Sequence, residues 1–218
     1  MSTLEGDPTA EVDPVADLHR RAARIRTEMG GVAAAERLAQ RGERTIRQHI
    51  DGLLDPGSFN EIGTFARSMR PEDRDHTPGD GKIGGIGTIN QGQPVAVAGD
   101  DITVKRGSTA EVGSRRLDRL ADLAMRRGMP MVYFGQTGGA RIPDIMGSEG
   151  FAELPSFTEF AGRRHRIPLA TAIVGQSFGG SSFISAMSDF TVQVRGTCLA
   201  VTSPRVVEVA TGERVDME

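Results

Sequence analysis

The chain has 218 residues, of which 25% are charged and 38% are hydrophobic, and its formal net charge is −3. This composition is typical of a globular protein and excludes a disordered or collagen-like chain. The acidic balance argues against a protein that binds nucleic acid through its phosphates. The single cysteine excludes an internal disulfide framework.

Glycine is unusually frequent, at 28 residues, well above the share of ~7% in average proteins. Glycine allows backbone conformations that other residues avoid, and it lets the chain approach another group closely. The excess therefore indicates several places where the backbone itself meets a neighbour or a ligand.

The first quarter of the chain is predicted to be helical. Residues 1–14 are acidic and contain proline, and they lack the apolar run of a signal peptide, so we expect them to be disordered. Apolar residues from position 15 onward recur at helical spacing until Gly30. A second helical pattern covers residues 32–54, with a weak point at Gly42. We therefore predict a helical N-terminal segment over residues 15–57.

The pattern then changes to strands alternating with helices. Residues 67–80 are charged and contain proline, and we expect an exposed loop. Residues 82–89 and 94–99 flank a polar turn and predict a β-hairpin. Residues 110–127 carry an apolar stripe and predict a helix that ends at Gly128.

The rest of the chain continues this alternation. Strands are predicted over residues 131–134, 169–174, 190–194 and 199–202, and helices over 151–165, from Gly179–Gly180 onward, and over 204–210. The alternation indicates an α/β domain over residues 58–218. The longest uncharged stretch, residues 167–188, contains several polar and glycine residues, so we expect a soluble, cytoplasmic protein with no membrane partner.

Two sequence motifs suggest activities that their context argues against. Gly79, Gly81 and Gly84 match a dinucleotide-binding pattern, but a strand follows them where that fold needs a helix. Residues 175–179 match the nucleophile elbow of serine hydrolases around Ser177, but all four histidines precede this serine. We interpret Ser177 as a small residue in a tight turn. No metal site is predicted.

The informative sites are two glycine pairs, each between a predicted strand and a predicted helix: Gly138–Gly139 and Gly179–Gly180. Paired glycines can leave successive backbone N–H groups directed into open space. Such amides suit a developing oxyanion, including the enolate of a thioester. The alternative, tight packing of a helix on a strand, remains open at this point.

From about residue 41 to the end, the chain resembles the N-terminal half of the carboxyltransferase β-subunit of biotin-dependent acyl-CoA carboxylases. No single motif is decisive, but the matching stretches occur in the order of the family and with nearly its spacing. They are residues 50–59, 87–89, 107–108, 138–142, 179–180 and 211–213.

The resemblance implies a crotonase-like fold (the ClpP/crotonase superfamily), a spiral of β-β-α turns in a single subdomain preceded by N-terminal helices. It implies that the N–H groups of Gly179 and Gly180 hold the acyl-CoA thioester oxygen as it becomes an enolate. Gly139 and Ala140 would line the same pocket, where related crotonases place a second oxyanion donor.

The resemblance also implies a coenzyme side of the site. Gly107 and Ser108 would lie near bound coenzyme A, with Gly138 and Arg141 beside them. The family usually has an aspartate where this chain has Gln136.

The implied activity is transfer of CO2 from carboxybiotin to the α-carbon of an acyl-CoA, with biotin itself as the base. Neither lysine, Lys82 or Lys105, has the neighbouring methionines of a biotin carrier, so biotin is expected on a separate carrier protein. The expected partners are a biotin carboxylase or biotin carrier subunit and a C-terminal carboxyltransferase half, in a homo- or hetero-oligomer. Two alternatives are a non-catalytic acyl-CoA-binding or assembly subunit and a biotin-independent acyl-CoA decarboxylase.

Overall fold

The computed structural model describes residues 13–142, 144–152 and 166–216. In these residues, helices at the N-terminus precede a mixed sheet, and further helices follow the strands of that sheet. The α/β prediction is confirmed. No helix in the described ranges is long and apolar enough to cross a membrane.

Three helices form the N-terminal segment: α1 (Pro14–Glu28), α2 (Val32–Gln40) and α3 (Ile46–Leu53). The prediction of one helical pattern over residues 32–54 is wrong in part, because the chain breaks between α2 and α3, around the predicted weak point at Gly42. The break has a local cause. Thr45 accepts a hydrogen bond from the N–H of Gln48, whose side chain in turn accepts one from the N–H of Thr45. This capping box starts α3 as a separate helix.

An antiparallel unit of three strands forms one end of the sheet: β1 (Asn60–Glu61), β2 (Lys82–Ile89) and β3 (Gln93–Asp100). The predicted hairpin is confirmed as β2 and β3. The prediction of an exposed loop over residues 67–80 is wrong in part, because Thr77 and Asp80 are fully buried. Short 3₁₀ turns lie within that segment, over Pro71–His76 and Pro78–Gly81.

The second half of the sheet is parallel. Strands β4 (Met131–Thr137) and β5 (Leu169–Phe178) follow β3 in the sheet, and β6 (Phe190–Gln193) and β7 (Leu199–Ala200) both pair with β5. The helices of this half are α4 (Glu111–Arg127), α5 (Gly147–Ala152), α6 (Gly180–Ala186) and α7 (Pro204–Thr211). Most of the helix predicted over residues 151–165 lies outside the described residues.

The sheet carries a hydrophobic core on each face. Side chains alternate along a strand, so Val95 and Val97 of β3 pack in a core with α3, and Ala96 and Ala98 pack in a second core with α4. Strands β4 and β5 run parallel between these cores, and their carboxyl ends lie at the same edge of the sheet. The two predicted glycine turns therefore leave the sheet side by side.

Candidate active site

The two glycine turns are in contact. Gly139 and Gly179 both have positive φ angles, +97° and +62°, which favour glycine. A Cβ atom placed on Gly179 would lie 3.7 Å from the Cα of Gly139. A Cβ atom placed on Gly139 would lie 3.8 Å from the Cβ of Phe178. Turns that are about 40 residues apart in the sequence thus meet at a buried Gly139 and a half-buried Gly179, and Ala140 beside them is exposed.

In the turn after β5, one of the two predicted donors is already used. The N–H of Gly179 donates to the carbonyl oxygen of Val201 at 3.0 Å. Gly180 begins α6, and the first N–H groups of a helix have no partner within that helix. No acceptor for the Gly180 N–H is found among the described residues, so Gly180 is the available donor of this turn.

In the turn after β4, the first two N–H groups are also used. The N–H of Gly138 donates to the carbonyl oxygen of Arg106 at 2.9 Å, and that of Gly139 donates to Thr137 Oγ1 at 3.1 Å. For the third amide, that of Ala140, the described part of the chain contains no acceptor. Ala140 is therefore the available donor here.

The orientation of Ala140 follows from a bridge to the segment before α4. The N–H of Thr109 donates to the carbonyl oxygen of Gly139 at 2.8 Å, and the N–H of Arg141 donates to the carbonyl oxygen of Thr109 at 2.7 Å. Successive backbone groups of an extended segment point to opposite sides. Because its neighbours face Thr109, the N–H of Ala140 faces away from this bridge.

A buried ion pair lies beneath the turn after β4. Lys82 and Asp100 are almost inaccessible to solvent, and the Lys82 ammonium pairs with the Asp100 carboxylate. The same ammonium donates to the carbonyl oxygen of Gly107 and to Thr109 Oγ1, each at 3.1 Å. Gly107 also accepts a hydrogen bond from Thr137 Oγ1 at 2.7 Å. The ion pair therefore anchors Gly107 and Thr109, which support the turn after β4.

The second oxygen of Asp100 fixes the end of β4. It accepts hydrogen bonds from Tyr133 Oη at 2.7 Å and from the N–H of Gln136 at 3.0 Å. Burial, followed by the negative charge of Asp100, raises the pKa of Tyr133 well above its usual value. Tyr133 thus remains a neutral hydrogen-bond donor, and every oxygen of Asp100 has a partner.

Arg141 and Ser108 are both buried and bonded to each other. The Arg141 side chain is 5% exposed and pairs with Asp80. It also donates to Ser108, from Nε to the hydroxyl and from Nη2 to the carbonyl, each at 3.1 Å. Asp80 in turn accepts the N–H of Gly113, near the start of α4, at 2.8 Å. Arg141 thus holds Ser108 and, through Asp80, the start of α4, and the expected place of Arg141 and Ser108 near coenzyme A stays a prediction.

Close packing leaves no room for a side chain at Gly107. Its φ is +64°, and a Cβ atom there would lie 2.6 Å from the carbonyl oxygen of Gln136. Gly138 packs less tightly, because a Cβ atom there would lie 3.5 Å from the Cβ of Arg106, an ordinary van der Waals contact. The 3₁₀ turn Lys105–Gly107 is thus pressed against the end of β4.

Sequence reasoning missed the charged residues Asp80, Lys82 and Asp100. Each lies next to a glycine-rich or apolar stretch, and a charge in such a place is the signal that could have marked a buried pair.

Ser177, by contrast, is confirmed as structural: it is fully buried, and its hydroxyl bonds to that of Ser181. Within the described ranges, no group of three or more histidine, cysteine or acidic residues could hold a metal ion.

The chain belongs to the carboxyl transferase domain family, whose model matches residues 37–218. It is 36% identical to the propionyl-CoA carboxylase beta chain of Saccharopolyspora erythraea over 98% of this chain and 40% of the relative. It is also 36% identical to the biotin-dependent long chain acyl-coenzyme A carboxylase beta4 subunit of Mycobacterium tuberculosis, over 100% of this chain and 41% of that subunit.

Solved structures show the same fold. The transcarboxylase 12S structure, a hexamer with methylmalonyl-coenzyme A bound, superimposes with a TM-score of 0.81 at 30% identity, over 100% of this chain and 41% of that one. The crotonase-like fold is thereby confirmed. The chain spans about 40% of the length of these relatives.

Proposed function

We propose that this chain is the acyl-CoA-binding part of a biotin-dependent carboxyltransferase. The observation that carries the proposal is the pair of available amides, Ala140 and Gly180, on two turns that touch each other at Gly139 and Gly179. An acyl-CoA whose thioester oxygen lies between them would receive two hydrogen bonds. Of the four residues expected from the sequence, Gly139, Ala140, Gly179 and Gly180, the proposal uses the amides of Ala140 and Gly180, because the N–H groups of Gly139 and Gly179 have acceptors within the chain.

The chemistry that these amides support is enolate formation. When the α-proton leaves, negative charge moves onto the thioester oxygen, and the two N–H groups stabilise it without having to reorganise. One such donor contributes about 2.7–4 kcal/mol in well-studied enzymes. The enolate carbon then attacks CO2, and the new carbon–carbon bond gives the carboxylated product.

Biotin, when bound, supplies the carboxyl group and accepts the α-proton. The lysines of the chain do not suit its covalent attachment. Lys82 is buried in its ion pair with Asp100, and Lys105 forms an ion pair with Asp73 at 2.7 Å. This arrangement supports a biotin that arrives on a separate carrier protein.

A second carboxyltransferase half is part of the proposal. The relatives are about two and a half times as long as this chain, since it spans about 40% of their length. Strand β6 is exposed along its whole length, with Phe190 at 65% exposure, and Val209 of α7 is 81% exposed. Exposed apolar surface of this kind is typical of a protein interface. It supports a covering C-terminal half in an oligomer.

The test is reconstitution. The chain is mixed with a C-terminal half and a carboxylated biotin carrier, and labelled carboxyl is followed onto acyl-CoA. Transfer supports the proposal. Binding of acyl-CoA without any transfer would contradict it and favour a non-catalytic subunit, and loss of CO2 from malonyl-CoA with the chain alone would favour a decarboxylase.

A further inference from the structure

The corner between helices α1 and α2, residues 29–31, is fixed tightly to the rest of the domain. Met29 has a φ of +49°, which residues other than glycine rarely adopt. Its side chain is buried in the core that contains α3. A conformation of this kind persists only where the surrounding structure fixes it. The corner is therefore held in one position.

The contact that holds the next residue of the corner is made by Thr103. The N–H of Gly30 donates to Thr103 Oγ1 at 3.0 Å, and a Cβ atom on Gly30 would lie only 2.0 Å from the carbonyl oxygen of Thr103. The Thr103 hydroxyl donates in turn to the carboxylate of Asp101. This hydroxyl is thus used both as an acceptor and as the donor of its single proton.

The chain runs from Thr103 directly into the 3₁₀ turn Lys105–Gly107, which supports the glycine turn after β4. Carbonyl oxygens of the 3₁₀ turn accept the N–H of Gly138 at 2.9 Å and Thr137 Oγ1 at 2.7 Å. Both donors lie just before Ala140 in the sequence. A displacement of the 3₁₀ turn would therefore change the direction of the Ala140 amide.

We propose that Thr103 is a positioning residue for carboxyl transfer, through which the helical N-terminal segment fixes the direction of the Ala140 amide. The proposal rests on the proposed function, because that function makes Ala140 an oxyanion donor. An amide stabilises a developing charge best when it is already aimed at the oxygen. A small misplacement caused by a distant change can slow a reaction strongly. Thr103 acts through the backbone that follows it and not through contact with the substrate.

The experiment compares Thr103→Val and Thr103→Ser in the reconstituted enzyme, with kcat and the KM for acyl-CoA measured separately. We expect Thr103→Val to lower kcat about tenfold and to leave KM unchanged, because a misaimed amide weakens an interaction made mainly in the transition state. Serine keeps the hydroxyl, so Thr103→Ser should retain most of kcat. A serine variant as slow as the valine variant would contradict a role for this hydroxyl.

The matched control is Thr88→Val. Thr88 Oγ1 also donates to an aspartate, Asp55, at 2.7 Å, but Thr88 lies near the end of β2 that is remote from Lys82. We expect both valine variants to lose stability in urea and only Thr103→Val to slow transfer. Equal falls in kcat would reduce Thr103 to a structural role and overturn the proposal.

Gly30→Ala tests the same contact from the side of the corner. The added Cβ would collide with the carbonyl oxygen of Thr103, so kcat should fall at least as far as in Thr103→Val. Gly52→Ala is the control for the added methyl group, because Gly52 is exposed in α3 and its Cβ position lies 4.0 Å from Arg44. A Gly30→Ala enzyme with the kcat of the wild type would contradict the proposal.

Gly180→Pro separates this proposal from the proposed function. A wild-type kcat in Thr103→Val beside a slowed Gly180→Pro would overturn the positioning role alone. A wild-type kcat in both variants would overturn the proposed function as well. A raised KM at unchanged kcat in Thr103→Val would also contradict positioning, because it would show that Thr103 contributes to substrate binding instead.

Discussion

The two glycine turns perform one proposed task but are held in different ways. The turn after β4 has backbone hydrogen bonds to Arg106 and Thr109 and is also supported by side chains, because the Lys82–Asp100 pair anchors Gly107 and Thr109 beneath it. The turn after β5 is held by backbone, because the N–H of Gly179 donates to Val201. The small residues Ser177 and Ser181 pack behind it through their hydroxyls.

The two turns should therefore respond differently to mutation. A turn anchored by buried charges can be disturbed from a distance, through a residue that never touches the substrate. A turn held by backbone hydrogen bonds and small side chains is disturbed by changes at the turn itself.

Lys82→Met tests the anchor of the first turn. Removing one partner of a buried ion pair leaves the other charge uncompensated, which costs about 3–5 kcal/mol. We expect a loss of this size in the free energy of unfolding, measured by urea denaturation. Lys105→Met is the matched control, because the side chain of Lys105 is 42% exposed and exposed pairs contribute less than about 1 kcal/mol. Equal losses in the two variants would refute a special role for the buried pair.

Gly180→Pro tests the second turn by removing its available N–H. Proline is accepted at the first position of a helix, and Gly180 is the first residue of α6. We expect kcat of the reconstituted enzyme to fall by about 10²–10³-fold, with α6 intact by circular dichroism.

The control for this substitution is Gly180→Ala, which keeps the amide and should retain far more activity. If the proline variant turns over as fast as the wild type, Gly180 is not an oxyanion donor.

Gly107→Ala tests the close packing beneath the first turn. The reference is Gly128→Ala, because Gly128 has nearly the same φ, +63°, but no atom within 4 Å of its Cβ position. The reference should lose roughly 1 kcal/mol from the left-handed conformation alone. Gly107→Ala should lose a further 1–3 kcal/mol from overpacking. Identical unfolding midpoints would show that the contact with Gln136 is unimportant.

Asp101→Asn tests how burial acts on the carboxylate that lies next to Asp100 in the sequence. Asp100 is compensated by Lys82, whereas burial raises the pKa of Asp101 above its usual value. A folded-state pKa above the unfolded value favours folding at low pH, and this contribution is lost as the pH rises through the folded pKa. Asparagine lacks this dependence. We therefore expect the free energy of unfolding of the variant, relative to that of the wild type, to increase from about pH 3 to neutrality. A difference between the two that stays constant with pH would contradict a raised pKa of Asp101.

Much of the fold could be predicted because its signals are local. The hairpin of β2 and β3 follows from two apolar runs around a polar turn, and α4 follows from its stripe and from Gly128. Gly42 marked only a weak point in a continuous helix, and the full break before α3 was not predicted, although Thr45 and Gln48 have the spacing of a capping box. Here a short-range polar signal overrode a continuous apolar pattern.

The details of the site depended on contacts between distant parts of the chain. The glycine turns could be predicted, but the use of the Gly179 amide by Val201 could not, because β7 places that carbonyl there. The burial of Asp80 was likewise hidden, since its partner Arg141 is 61 residues away. A sequence read locally shows which residues can form a turn, and only the fold shows which of their amides remain available.

The most direct test is the infrared spectrum of a bound acyl-CoA with a carbon-13 thioester carbonyl. Hydrogen bonds from Ala140 and Gly180 would polarise this carbonyl. The account predicts that its stretching band moves to lower frequency on binding, and that Gly180→Pro reverses part of the shift. A bound thioester whose band stays at its position in water, in the wild type, would contradict the central claim.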